Sequence, residues 1–172
     1  MTTLRVGQGF DVHRFAAPGA GRPLLLMGCQ IPHDRGLAGH SDADVMLHAL
    51  MDGLLGAAGL GDIGQHFPDT DPAYKGADSA QLLERVMGDL AERGWRVINA
   101  DVCLIGERPR IGPHRQRMRE VVAPLLGLAP EALNVKATTT EQLGFTGRGE
   151  GLASQAVVLL LRPLMPEHCL NA

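Results

Sequence analysis

The segment Leu152–Leu161 leaves the chain few ways to fold. Read as a strand, it puts Leu152, Ala156, Val158 and Leu160 on one face and Ala153, Val157, Leu159 and Leu161 on the other. A strand that is apolar on both faces must be covered on both. Helices of the same chain can cover one face. A partner subunit is the natural cover for the other, so a homo-oligomer is expected.

The remaining elements follow from hydrophobic periodicity and turn residues. Leu4–Phe10 reads as a first strand and Leu24–Ile31 as a second, interrupted by Gly28. Ser41 and Asp44 have the spacing of a helix start, and Leu47, Leu50, Met51, Leu54, Leu55 and Ala58 form an apolar stripe behind them. A Gly/Asp-rich loop follows, to Asp71. A second helix spans Ser79 to Arg93, with Gly94 placed as a C-terminal cap. Trp95–Ile105 is a strand, a third helix runs from Pro113 to about Leu126, and Leu133–Thr140 is a strand entering a Gly-rich turn, Gly144–Gly151. The order β-β-α-α-β-α-β-β, without repeats or linkers, predicts a single α+β domain over residues 1–172. It would hold one mixed β-sheet with helices packed on one face, and an irregular tail from about residue 163.

Charge and composition exclude several functions. The net charge is −3 and aromatic residues make up 3 % of 172 residues. Neither the bulk positive field nor the stacking platforms of a nucleic-acid binder are present. No apolar run reaches membrane-spanning length. Cys29, Cys103 and Cys169 are odd in number and widely spaced, which fits a reducing compartment better than a disulfide framework. With no signal or transit pattern at the start, a cytoplasmic protein is expected.

The chemistry concentrates in two short patterns. Asp11 and His13 are two apart on extended chain and face the same way. Asp44, His48 and Asp52 form a polar line at i, i+4, i+8 on the predicted first helix. Each pattern has an ordinary reading: an Asx-turn beside a surface histidine, and a boundary histidine satisfied by a carboxylate. Each also has a chemical one. Asp11, His13 and His48 together make a His₂-carboxylate set that leaves a fourth tetrahedral position open, as at a catalytic zinc. In that reading Asp44 and Asp52 fix the imidazole tautomer. Arg110 and Arg148 sit in turns whose backbone N–H groups can hold anions, the threonines 138–140 offer hydroxyls, and Glu141 offers a carboxylate for a harder cation such as Mg²⁺. Bringing one phosphate within about 4 Å of another costs about 4 kcal/mol per pair of unit charges at an effective dielectric of ~20. Cations and positioning can therefore supply much of the catalysis in a phosphoryl transfer.

The segments GFDVHRF, HSDADVMLHALMDGLLGAAGLGDIGQHFPDTD, GERPR and NVKATTTEQLGFTGRGEG, in this order from about Arg5 to Leu161, resemble the 2-C-methyl-D-erythritol 2,4-cyclodiphosphate synthase family of the non-mevalonate isoprenoid pathway. The resemblance implies a cyclising phosphorus–oxygen lyase: a homotrimer with active sites between neighbouring subunits, in which the 2-phosphate of 4-diphosphocytidyl-2-C-methyl-D-erythritol 2-phosphate attacks the β-phosphorus and expels CMP. It implies zinc on Asp11, His13 and His48, with Val12 between the first two at the substrate, and Mg²⁺ or Mn²⁺ on Glu141. His40 and Thr139 take the positions that align the diphosphate. His40, Ser41, Asp62, Ile63, Gly64, Phe67, Pro68, Asp69, Thr70 and Asp71 match the methylerythritol phosphate site. Gly106, Glu107, Arg108, Pro109, Arg110, Ile111 and Gly112, with Thr138 and Thr139, match the cytidine pocket. Thr140, Phe145 and Arg148 match further binding positions. Phe10, Arg148 and Glu150 match the lining of an axial cavity proposed to take isoprenoid diphosphates. Arg110, Ile111 and Gly112 depart from the lysine and larger apolar residues common at their positions.

Two other functions use parts of the same chemistry. A hydrolase would let a metal-bound water attack the diphosphate and release CMP without closing a ring. A non-catalytic trimer would bind isoprenoid diphosphates through Arg148 and would tolerate loss of His48.

Overall fold

The computed structural model describes residues 2–163; the expected irregular tail lies outside the described residues, apart from Pro163, which ends a strand. Strand β1 (Thr2–Arg14) pairs antiparallel with β6 (Gly151–Pro163) over its whole length. Strand β6 also pairs antiparallel with β4 (Arg96–Ile105), and β4 pairs parallel with β5 (Leu133–Thr138). The result is a mixed four-stranded sheet in the order β1-β6-β4-β5. Helices α1 (Val45–Ala58), α3 (Ser79–Glu92) and α4 (Arg115–Leu125) complete a single α+β domain.

Period-two alternation decides what β1 does. Gly7, Gly9, Asp11 and His13 turn to the face under α1, while Leu4, Val6, Phe10 and Val12 turn away and stay exposed. Along β6, Leu152, Ala156, Val158 and Leu160 are buried in the core, as expected. The opposite face is only partly covered within the chain: Val157 is 43 % exposed, beside Val6 at 70 % and Phe10 at 53 %.

Helix α1 is not a half-buried stripe. Val45, Met46 and Ala49 are as buried as Leu47, Leu50 and Leu54, so the helix is enclosed nearly all round. It lies directly on β1 because both backbones are bare where they meet. A Cβ on Gly7 would stand 1.9 Å from the Gly53 carbonyl oxygen, and one on Gly9 would stand 1.9 Å from that of Ala49. Ala49, Gly53 and Ala57, one helical row, thus fit against the two strand glycines.

Three local expectations need correction. Leu24–Ile31 is not one interrupted strand but a hairpin of β2 (Leu24–Leu26) and β3 (Cys29–Ile31), forming its own two-stranded sheet. Met27 and Gly28 both have positive φ, which turns the chain back. The N-cap of α1 is Asp44 rather than Ser41, since Asp44 accepts from the N–H groups of Met46 and Leu47. The two glycine-rich connections each contain a helical turn, α2 (Ile63–His66) and α5 (Gly144–Gly147).

The close strand–helix contact predicts an asymmetry between glycines. Gly9→Ala is expected to destabilise the protein by about 2 kcal/mol or more, because backbone must move. Gly53→Ala, whose Cβ would meet nothing nearer than 3.4 Å, is expected to stay within about 1 kcal/mol of wild type. Denaturant titration of the two variants checks both.

Candidate functional site

Strands β1, β4 and β5 bring candidate functional residues to one end of the sheet. His13 pairs with Leu152, Ile105 with Ala153, and Ile105 also with Thr138. The last residues of β1, β4 and β5 therefore surround the start of β6.

At the β1 corner, Asp11, His13 and His48 converge, with one ligand atom of each within 4.8 Å of the others. Asp11 Oδ2 lies 2.9 Å from His13 Nδ1 and 3.1 Å from His48 Nδ1. Tetrahedral bonds of 2.0–2.1 Å place neighbouring donors about 3.3 Å apart, close to these separations. His13 Nδ1 is buried yet makes no properly aligned hydrogen bond. One carboxylate oxygen facing two ring nitrogens, one of them orphaned, is a donor set that fits a divalent metal.

The electrostatics agree. Burial pushes the Asp11 carboxyl up, but the two imidazoles beside it, His13 and His48, outweigh it and hold the group well below the usual carboxylate range. Burial pulls the His48 imidazole down, yet the Asp11 hydrogen bond and the charges of Asp11, Asp44 and Asp42 win and raise it.

Asp44 and Asp52 do not touch the His48 ring, contrary to expectation. Asp44 is fully buried; it caps α1 and accepts the Gly28 N–H at 2.7 Å, tying the hairpin turn to the helix. Asp52 accepts the Ile63 N–H at 2.8 Å and so holds α2 against α1. Burial raises the pKa of both carboxyls. The residues that do meet His48 are Ser79 and Ser41, with hydroxyl oxygens 3.0 and 3.2 Å from Nε2.

Beside this corner lies a cavity of about 450 Å³. Of the residues expected there, His13, His40, Ser41, His48, Ile63, Gly64, Phe67, Pro68 and Asp69 line it. Asp62, Thr70 and Asp71 do not. Asp62 caps α2 and Asp71 caps the short turn Pro72–Tyr74, so both shape the wall rather than form it. Gly39, Tyr74 and Leu82 line it without having been anticipated. Tyr74 packs edge-on against Phe67, a contact that sequence spacing does not announce.

A second cavity, of about 430 Å³, opens at the β4–β5 corner. Gly106, Glu107, Arg108, Pro109, Arg110, Ile111 and Gly112 line it with Thr138 and Thr139, and Arg115 and Ala137 complete it. Ile111 is 1 % exposed, so its side chain anchors the turn in the core. Glu107 Oε1 accepts the N–H groups of Thr140 and Gln142 at 3.1 and 3.2 Å. Between those residues, Glu141 has φ +52°, in the left-handed region, and its carboxylate accepts from Thr139 Oγ1 at 3.0 Å. Phe145 lies in the exposed helical turn α5, and Arg148 pairs with Glu150 at 2.6 Å.

A cation corner and two cavities at one end of a small α+β sheet define a site for a phosphorylated, nucleotide-like ligand. The chain belongs to the YgbB family, whose profile matches residues 4–161. Its relatives in that family are 2-C-methyl-D-erythritol 2,4-cyclodiphosphate synthases, and it stands among them. The synthase of Alkalilimnicola ehrlichii is 58 % identical over 165 residues, covering 96 % of this chain and 99 % of that protein. A solved synthase structure in a CDP-bound form is 40 % identical with a TM-score of 0.81, covering 91 % of this chain and 99 % of the other. The bifunctional IspDF of Campylobacter jejuni superposes with a TM-score of 0.89 at 45 % identity, covering 95 % of this chain and 43 % of that longer one.

The geometry separates structural carboxylates from metal ligands. Asp44→Ala is expected to cost about 2 kcal/mol of stability through the lost cap while leaving metal stoichiometry unchanged. His48→Ala is expected to abolish binding of a divalent metal in a folded protein. Metal analysis beside thermal melting distinguishes the two.

Proposed function

We propose that the chain converts 4-diphosphocytidyl-2-C-methyl-D-erythritol 2-phosphate to 2-C-methyl-D-erythritol 2,4-cyclodiphosphate and CMP, as a phosphorus–oxygen lyase. The observation that carries this reading is the placement of a two-imidazole, one-carboxylate corner and two cavities of suitable size at the same sheet end, in a chain of this family.

The residues divide the work. Asp11, His13 and His48 would hold zinc, and Glu141 would hold Mg²⁺ or Mn²⁺. When bound, these cations neutralise and polarise the diphosphate so that a second phosphate can approach it. His40 and Ser41, with Ile63, Gly64, Phe67, Pro68 and Asp69, enclose the methylerythritol phosphate and exclude water, which favours ring closure over hydrolysis. Asp62, Thr70 and Asp71 keep that wall in shape, and Val12 stands between the two β1 ligands. The turn Gly106–Gly112 receives the cytidine largely through backbone groups, a reading supported by the buried Ile111 side chain. Thr138 and Thr139 would offer hydroxyl groups to the phosphates, Thr139 also orients Glu141, and Thr140, whose hydroxyl donates to the Leu143 carbonyl and whose N–H donates to Glu107, shapes the turn around them. Phe145 and Arg148 add outer binding contacts.

The active unit in this reading is a homotrimer. Strands β1 and β5 flank the sheet with two strands between them, about 14 Å apart at ordinary strand spacing. Setting the metal corner of one chain against the nucleotide turn of a neighbour joins the two halves of the site. The exposed apolar face of Leu4, Val6, Phe10 and Val157 supplies a surface for that assembly. Phe10, Arg148 and Glu150 would then line an axial cavity able to accept an isoprenoid diphosphate. No helix among the described residues is long and apolar enough to cross a membrane. Cys29 and Cys103 are free thiols, which supports a reducing, cytoplasmic setting.

Phosphorus NMR of the reaction tests the function. The expected result is CMP together with the paired signals of a cyclic diphosphate, both lost on zinc chelation. CMP with an open-chain bisphosphate would replace the synthase by a hydrolase. Glu141→Gln is expected to raise the Mg²⁺ concentration needed for half-maximal rate about tenfold while zinc content stays unchanged; loss of zinc from that variant would overturn the division of roles.

A further inference from the structure

Every hydrogen-bonding atom of the His48 ring has a partner, and the partners on the side away from Asp11 have no assigned role. Ser79 opens α3 and is fully buried. Its hydroxyl donates to Asp42 Oδ1 at 2.5 Å, and its backbone N–H donates to Asp42 Oδ2 at 2.9 Å. The same hydroxyl oxygen lies 3.0 Å from His48 Nε2. A serine hydroxyl has one proton. With that proton given to Asp42, Ser79 Oγ can only accept from His48, so Nε2 must carry the hydrogen. Ser41 Oγ, 3.2 Å from the same nitrogen, accepts the Ala43 N–H at 3.1 Å and does not oppose this assignment.

We propose that Ser79, held by Asp42, is a positioning residue that locks His48 in the Nε2-protonated tautomer and so presents the Nδ1 lone pair to the metal. The consequence is geometric as well as electronic. His48 Nδ1 is the nitrogen that faces Asp11 Oδ2, and the Ser79 bond on the far side of the ring fixes the rotation that aims it there. A ring held at Nε2 by an acceptor is also a stronger donor at Nδ1. The role expected of Asp44 and Asp52 thus falls to a serine 31 residues away in sequence and to the aspartate that orients it. This inference rests on the assignment of Asp11, His13 and His48 as the zinc site.

The test reads the metal and the ring separately. Zinc affinity is measured by competition with a chromophoric chelator for wild type, Ser79→Ala and Asp42→Ala, with thermal melting as a control for folding. The His48 tautomer is read in the zinc-loaded proteins by long-range proton–nitrogen NMR. In wild type the expected spectrum is an Nε2-protonated, Nδ1-coordinated ring. Ser79→Ala is expected to bind zinc 10- to 100-fold more weakly and to lose the slow-exchanging Nε2 proton. Asp42→Ala, which frees the Ser79 proton to oppose Nε2–H, is expected to weaken zinc about tenfold and decides the matter should Ser79→Ala not fold. Unchanged affinity with an unchanged Nε2–H signal in the folded variants would overturn the role of Ser79. Absence of zinc binding in wild type would instead overturn the metal site beneath it.

Discussion

The structure depends on how closely one helix can lie on one strand. Gly7 and Gly9 remove the side chains that would hold α1 away from β1, and Ala49, Gly53 and Ala57 remove those on the helix side. Backbone then packs on backbone, a spacing that larger side chains would forbid. Strand alternation continues from Gly7 and Gly9 to Asp11 and His13 on the same face, while His48 lies one residue before Ala49 on the helix. The candidate metal corner is therefore the continuation of a packing seam. Its donor groups come together because the glycines beneath them let the two elements meet.

That origin explains why the polar groups at the corner are tolerated in an otherwise apolar setting. Asp11 and His48 leave much of the solvent, which opposes charge on both, and each reverses the other's penalty. Asp44 has a different solution. It is wholly buried, and its oxygens accept the N–H groups of Gly28, Met46 and Leu47. One carboxylate organises ligand atoms, and the other joins a hairpin to a helix end.

Much of this was legible in the sequence. Period two put Asp11 and His13 on one face, and the His₂-carboxylate reading joined His48 to them. Residues that the family resemblance assigns to two binding regions line two cavities, and the alternation in β6 marks a strand of which the chain itself fully covers one face. The failures share a cause. Local spacing favours Ser41 as the cap, whereas burial and the Gly28 contact select Asp44. Asp52 sat at the right helical offset from His48, but the Ile63 N–H claimed it. Ser79 and Asp42 could not be paired with His48 from spacing, since a contact between separate elements follows from packing and leaves no periodic trace. The hairpin was missed because a two-residue turn at Met27–Gly28 interrupts an apolar run without a polar break.

Glu107 gives the turn Gly106–Gly112 a second purpose. It lines the cavity at the β4–β5 corner, yet its carboxylate serves the amides of Thr140 and Gln142 on either side of Glu141. The turn Gly106–Gly112 and the turn that carries Glu141 are consequently one mechanical part. Arg108 and Arg110, whose side chains are exposed, can vary without disturbing that part. Glu107 is not free in the same way, because losing its carboxylate would leave the amides on either side of Glu141 without their acceptor. In the proposed function, recognition of the leaving nucleotide and readiness for the chemical step would in this way be fastened to a single side chain.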